Sequence, residues 1–144
     1  RNCKDVWGGI MKVLLDTHII LWTLENNTKL SEKAREIIEN EQNQIYYSTA
    51  SVWEIAIKHM AHPEKMRIDG RGFSEKCMKS GFEMLPVYDR HVYGLETLTR
   101  PGDAPPHNDP FDRIMLSQAK VDELKFITHD SLIPYYNEEC VLAV

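Results

Sequence analysis

The chain has 144 residues, the size of one ordinary domain, which disfavours a two-domain enzyme. Hydrophobic residues make up 42% and charged residues 27%, with seven glycines and seven prolines, so neither a disordered tail nor a collagen-like repeat fits. The net charge of −5 argues against the broad basic surface of a DNA-coating protein while leaving room for a locally basic groove.

Arg1 to Ile10 has paired glycines and no periodicity, and reads as a leader or added segment before a domain that spans Met11 to Val144. Lys12 to Leu15 is a short apolar run ending at Asp16, followed by Ile19, Ile20, Leu21, Trp22 and Leu24 on helical spacing, which reads as strand, turn and helix. Ser31, with Ala34, Ile37 and Ile38 on one face, opens a second helix ending near Asn40. Ile45 to Tyr47 is a strand. Ser51-Val52-Trp53-Glu54 has the form of a capping box opening a helix from Val52 to Met60, which Pro63 ends. Asp69 to Ser80 is weakly helical, Met84 to Val87 is a short strand, and Arg90 to Leu98 is a helix with Val92, Leu95 and Leu98 inward. Pro101, Pro105, Pro106 and Gly102 make Arg100 to Asn108 an irregular loop. Asp109 to Asp122 is a strong helix, Phe126 to Thr128 a buried strand, and Val141 to Val144 a last strand. This alternation predicts an α/β fold, a mostly parallel sheet with helices on both faces, whose ligands bind beyond the carboxyl ends of the strands.

Four carboxylate positions fall where such a sheet would gather them: Asp16 and Asp130 after strands, Glu54 in the first turn of its helix, and the Asp109/Asp112 pair at a helix start. Any one of them has an ordinary alternative as a helix cap or a partner of the helix dipole. Held together, they would repel unless cations or protons neutralised them, and Mg²⁺ or Mn²⁺ prefers oxygen ligands of this kind. Metal-assisted phosphoryl transfer is the chemistry such a site commonly performs. Cys3, Cys77 and Cys140 are odd in number and widely spaced, so neither a disulfide framework nor a structural zinc site is suggested. No apolar run approaches the length of a membrane span and no signal-peptide layout is present, which makes the cytoplasm the default location.

Leu14-Leu15-Asp16-Thr17-His18, Ser51 to Lys58, His107-Asn108-Asp109-Pro110-Phe111-Asp112-Arg113 and Thr128-His129-Asp130 fall in the order and spacing of the PIN-domain ribonucleases. More narrowly, the chain resembles the VapC toxins of bacterial type II toxin–antitoxin systems, from Met11 to Val144, with Asp-Pro-Phe-Asp-Arg the most specific block. The resemblance implies an α/β/α sandwich and a Mg²⁺- or Mn²⁺-dependent endonuclease acting on RNA. It further implies a homodimer and a small cognate antitoxin that occludes the site. By position, Asp16, Glu54 and Asp112 look like the core acids and Asp130 like the fourth. Asp109 is a ligand, an acceptor that holds one, or the cap of the Asp112 helix. Thr17 and Thr128 look like hydroxyls that hold Asp16 and Asp130, or else like helix caps.

Arg113 is expected either to clamp a substrate phosphate or to pair with a carboxylate. Lys58, Lys65, Arg67 and Arg71 form either a basic rim for RNA or a solvated surface, while Trp22 and Trp53 are expected in the core or at a partner face. His107 and His129 flank the acidic motifs without an assigned role. A haloacid dehalogenase-type phosphatase would need a second Asp two residues after the first, where His18 stands. A degenerate PIN domain that binds without cleaving is disfavoured by the presence of all the acids.

Overall fold

The apolar run before Asp16 becomes β1 (Lys12–Leu15), the middle strand of a five-stranded sheet in the order β3-β2-β1-β4-β5. A computed structural model describes residues 10–144; the leader expected over Arg1–Ile10 lies, apart from an exposed Ile10, outside the described residues. Helices α1 (Thr17–Leu24) and α2 (Glu32–Glu39) lead to β2 (Gln44–Ser48), and α3 (Thr49–Ala61) and α4 (Gly70–Lys79) lead to β3 (Glu83–Leu85). After α5 (Asp89–Leu95) and the proline-rich loop come α6 (Pro110–Asp122), β4 (Lys125–Thr128), a 3₁₀ turn (Ile133–Tyr136) and β5 (Val141–Ala143). All four strand pairings are parallel, with Leu14 level with Tyr46 on one side and Phe126 on the other.

Because successive strand residues point to opposite faces, β1 serves two cores at once. Val13 and Leu15 pack with Tyr47, Ile127, Ile19, Ile55 and Phe73 beneath α1, α2 and α4. Leu14 packs with Phe126, Met115, Leu116 and Ile133 beneath α6. This three-layer α/β/α arrangement is the fold class expected from the sequence. The chain runs outward from β1 through β2 to β3, then crosses back to β4 and on to β5. That reversal opens a crevice at the carboxyl ends of β1 and β4.

Two local expectations are corrected. Helix α3 starts earlier than the Ser51 capping box, since the Ser48 hydroxyl accepts from the Ala50 N–H (2.9 Å) and donates to Gln118 Oε1 (2.6 Å), leaving Ser51 inside the helix. Helix α5 stops at Leu95, and Val92 is exposed; the residues facing α6 are His91 and Gly94. Gly94 lies so close to Ser117 and Val121 that a β-carbon has no room there. Helix α6 ends in Glu123, which takes a left-handed conformation (φ 57°, ψ 45°) where glycine is usual.

Buried His91 ties α5 to α6. Its Nδ1 accepts from the Tyr88 backbone N–H (2.9 Å) and its Nε2 bonds Asp122 (2.9 Å). Arg90 also donates twice to Asp122, at 2.9 and 3.0 Å, and holds that carboxyl below its usual range. Asp122→Ala would strand a buried imidazole N–H. We expect it to lower stability by about 1–3 kcal/mol, read as a reduced urea midpoint at unchanged slope.

Candidate active site

Asp16 leaves β1 and caps α1: its carboxylate accepts the Ile19 N–H at 2.9 Å. It is buried, and that burial raises its pKa, offset in part by hydrogen bonds from Thr128 and Ile19. Thr17, the next residue, serves a different acid. Its hydroxyl donates to Glu54 Oε1 (2.7 Å) and lies 2.8 Å from the hydroxyl of Ser51, so the first turn of α1 is stitched to α3. The other oxygen of Glu54 accepts from Lys58 Nζ at 2.7 Å, one helical turn along α3. Buried Glu54 is therefore aimed from both sides.

Asp109 caps α6, its Oδ1 accepting from the N–H groups of Phe111 (2.9 Å) and Asp112 (3.1 Å), with Pro110 in the first helical position where no N–H is needed. Asp112 stands in the first turn. Burial, and after it the charges of Asp109, Asp16, Glu54 and Asp130, push its pKa up to about 8. Asp130 follows β4; its backbone N–H donates to the Thr128 hydroxyl (3.0 Å) and its carboxylate accepts from the Leu132 N–H (2.8 Å).

These side chains meet in one cleft of about 260 Å³, lined by Asp16, Thr17, Glu54, Lys58, Asp109, Asp112 and Asp130, with His18, Trp22 and His129 along its rim. All five sequence-derived acids are thus brought together at the strand reversal. The Thr128 hydroxyl accepts from the Asp130 backbone N–H and bonds the Asp16 side chain, while Thr17 holds Glu54 instead of Asp16, so neither threonine holds the carboxylate expected of it.

Other expectations resolve differently. Arg113 takes part in none of the ion pairs among the described residues and does not line the cleft; it turns toward Tyr136. Lys65 and Arg67 line a separate groove beside α1, so of the proposed basic rim only Lys58 borders the acids. Trp22 is half-buried against His18 and His129, and Trp53 is 62% exposed, touching Phe111 edge-on at 5.0 Å. Of the two places expected for the tryptophans, Trp22 packs against the edge of the core and Trp53 lies outside it.

His107 is the residue that sequence reasoning left without a role. It is buried, its Nδ1 lies 2.8 Å from the Tyr136 hydroxyl, and its Nε2 lies 3.3 Å from Asp112 Oδ2. Burial lowers its pKa, which favours the neutral ring. Its place in the His107-Asn108-Asp109-Pro110-Phe111-Asp112 run was the only available signal.

The chemistry of this donor set suits a hard divalent cation, because ionised carboxylates crowd a site where one of them already retains a proton. Comparison with known families decides the membership: the PIN domain model matches residues 13–137. The chain belongs to the PIN domain family. Among solved structures, VapBC2 from Rickettsia felis bound to a promoter DNA fragment matches this PIN domain with a TM-score of 0.61 at 13% identity, over 93% of this chain and 98% of that chain. At such identity the likeness is one of fold. The comparison with curated proteins finds no match.

In the metal-free PIN domain, an ionised Asp112 is disfavoured in the folded state but not in the unfolded chain. Its contribution to stability therefore falls as pH rises from about 4 to about 8. Asp112→Asn imitates the protonated form. In EDTA, its urea midpoint should match the wild type near pH 4 and exceed it increasingly up to about pH 8.

Proposed function

We propose that this PIN domain is a Mg²⁺- or Mn²⁺-dependent endoribonuclease of the VapC type, the toxin of a toxin–antitoxin pair acting in the cytoplasm. The observation that carries the reading is the convergence of Asp16, Glu54, Asp109, Asp112 and Asp130 in one cleft, where burial and then the neighbouring carboxylates push Asp112 up to about 8. PIN domains are generally metal-dependent nucleases, and the similar Rickettsia felis structure is a VapBC complex.

Asp16, Glu54, Asp112 and Asp130 would hold the cation. Bound there, a divalent ion supplies positive charge at a transferring phosphate and makes water more acidic. The chain's own contribution is to aim the acids. Thr17 and Lys58 fix the two oxygens of Glu54, the α1 turn fixes Asp16, and the Asp109 cap sets the first turn of α6 from which Asp112 projects. Asp112 would give up its proton as the cation enters. Water would then attack phosphorus, releasing a proton as one ester P–O bond breaks, and the departing oxygen would take up a proton in return. Lys58, while bonded to Glu54, would offer its remaining N–H groups to the RNA backbone.

Two further surfaces support partners. Trp53, Ile57 and Met60 on α3 and Val87, Val92 and Tyr93 on and before α5 are exposed apolar residues beside a groove formed with Pro110 and Ile114, a face we assign to the homodimer. On the other side of the cleft, Leu21 and Leu24 of α1 border the groove that contains Met66 and Ile68, which suits an apolar stretch of an antitoxin tail. An arginine from that tail would satisfy the acids in place of the cation.

Purified protein should cleave RNA with Mn²⁺ or Mg²⁺ and stop in EDTA, and Asp16→Asn should abolish cleavage. Thr17→Val, which frees one oxygen of Glu54, should lower metal affinity or activity by about 10–100-fold. Cleavage that persists in EDTA, or in Asp16→Asn, would overturn the assignment. For the homodimer, Trp53→Glu should shift the sedimentation coefficient from dimer to monomer without loss of secondary structure.

A further inference from the structure

We propose that His107 is a nitrogen ligand of the cation, forming a mixed nitrogen–oxygen site with Asp112 and Asp130, the two cleft acids that it adjoins. The inference rests on the cleft being a divalent-cation centre and names part of its donor set.

One ring nitrogen of His107 and one carboxylate oxygen each from Asp112 and Asp130 lie within 4.8 Å of one another, and the His107 Nε2 to Asp112 Oδ2 separation is 3.3 Å. Two ligands at right angles on an ion with bonds of about 2.1 Å are about 3 Å apart, and opposed ligands are about 4.2 Å apart. The His107–Asp112 separation falls inside that range, and the 4.8 Å bound on the group as a whole exceeds it by about 0.6 Å, so closing on one ion requires the side chains to draw together. His107 and Asp112 stand five residues apart across the start of α6, and Asp130 reaches them from the end of β4.

The second nitrogen decides how the ring can be used. His107 Nδ1 is 2.8 Å from the Tyr136 hydroxyl, and the two rings pack edge to face (centroids 5.5 Å apart, 82°). If Nδ1 carries the hydrogen and donates to Tyr136, the lone pair of Nε2 points to Asp112. Imidazoles that ligate metals are commonly held this way, with the distal N–H bonded to an outer partner that fixes tautomer and orientation. Tyr136 is itself buried and capped by Arg100, whose guanidinium lies 5.3 Å from the ring centroid and also donates to the Pro105 carbonyl within the same loop. The loop is braced where it delivers His107. By contrast, His129 bonds the Val144 carbonyl and packs on Trp22, and His18 faces Trp22.

A nitrogen donor has a consequence for selectivity. Mg²⁺ prefers an all-oxygen shell and keeps its waters, whereas imidazole suits transition ions. The site should therefore hold Mn²⁺ in preference to Mg²⁺, and His107→Asn should weaken Mn²⁺ by about tenfold or more while moving Mg²⁺ far less.

The deciding experiment is pulsed electron paramagnetic resonance on the full chain loaded with Mn²⁺, paired with calorimetric titration of Mn²⁺ and Mg²⁺. A nitrogen hyperfine coupling of a ligated imidazole is expected in the wild type and should vanish in His107→Asn while Mn²⁺ remains bound. Tyr136→Phe, which keeps the ring but removes the outer partner, should retain the coupling at reduced Mn²⁺ affinity. Mn²⁺ bound in the wild type without nitrogen coupling would overturn the His107 assignment and leave the carboxylate site standing. A coupling that survives in His107→Asn would also overturn it and assign the ligand to another histidine. Absence of any Mn²⁺ binding would overturn this inference together with the nuclease reading.

Discussion

Mutual repulsion among the carboxylates at the ends of β1 and β4 is the constraint to which the surrounding structure answers. Two unit charges about 4 Å apart repel by about 4 kcal/mol at an effective dielectric of about 20, and at Asp112 the charges of Asp109, Asp16, Glu54 and Asp130 add to the cost of burial. The fold meets this cost with several local devices. Asp16 and Asp109 spend an oxygen each on helix caps, Glu54 is neutralised by Lys58, and Asp112 keeps its proton well above the usual carboxylate range. What remains is a deficit of positive charge, and on that deficit the proposal of a cation site rests. The two hydrophobic cores on either face of the sheet supply the stability that lets this edge remain unfavourable.

The order of strands and helices was legible because each periodic segment carried its own boundary signal: Asp16 after an apolar run, Ser31 ahead of Ala34, Asp109-Pro110 ahead of α6. The five acids were legible for the same reason, since a parallel sheet brings the ends of strands and the starts of helices to one edge. What escaped depended on partners remote in sequence. Ser48 outcompetes Ser51 as the cap of α3 because Gln118, on α6, accepts its hydroxyl proton. Thr17 bonds Glu54 and not Asp16 because α3 passes beside the first turn of α1. His107 gained its surroundings from Tyr136, 29 residues away. The exposure of Trp53 reflects the face of α3 it occupies: Ile55 and Glu54 turn inward, so the intervening rotation carries Trp53 out against Phe111.

Asp16, Thr17, Asp109, Asp112 and Asp130 come to the cleft from the ends of strands and the starts of helices, whereas Glu54, expected in a first turn, stands in the second turn of α3; the turns that lead into the strands lie at the opposite edge of the sheet. Glu123, between the end of α6 and β4, is one of these, and its left-handed backbone is a conformation in which an L side chain costs roughly 1–2 kcal/mol. The chain thus carries removable strain at the end of α6 remote from Asp112. A glycine at that turn would relieve it while the acids kept their caps, ion pair and proton. Robustness and reactivity in this molecule are therefore separately adjustable, one from each rim of the same sheet.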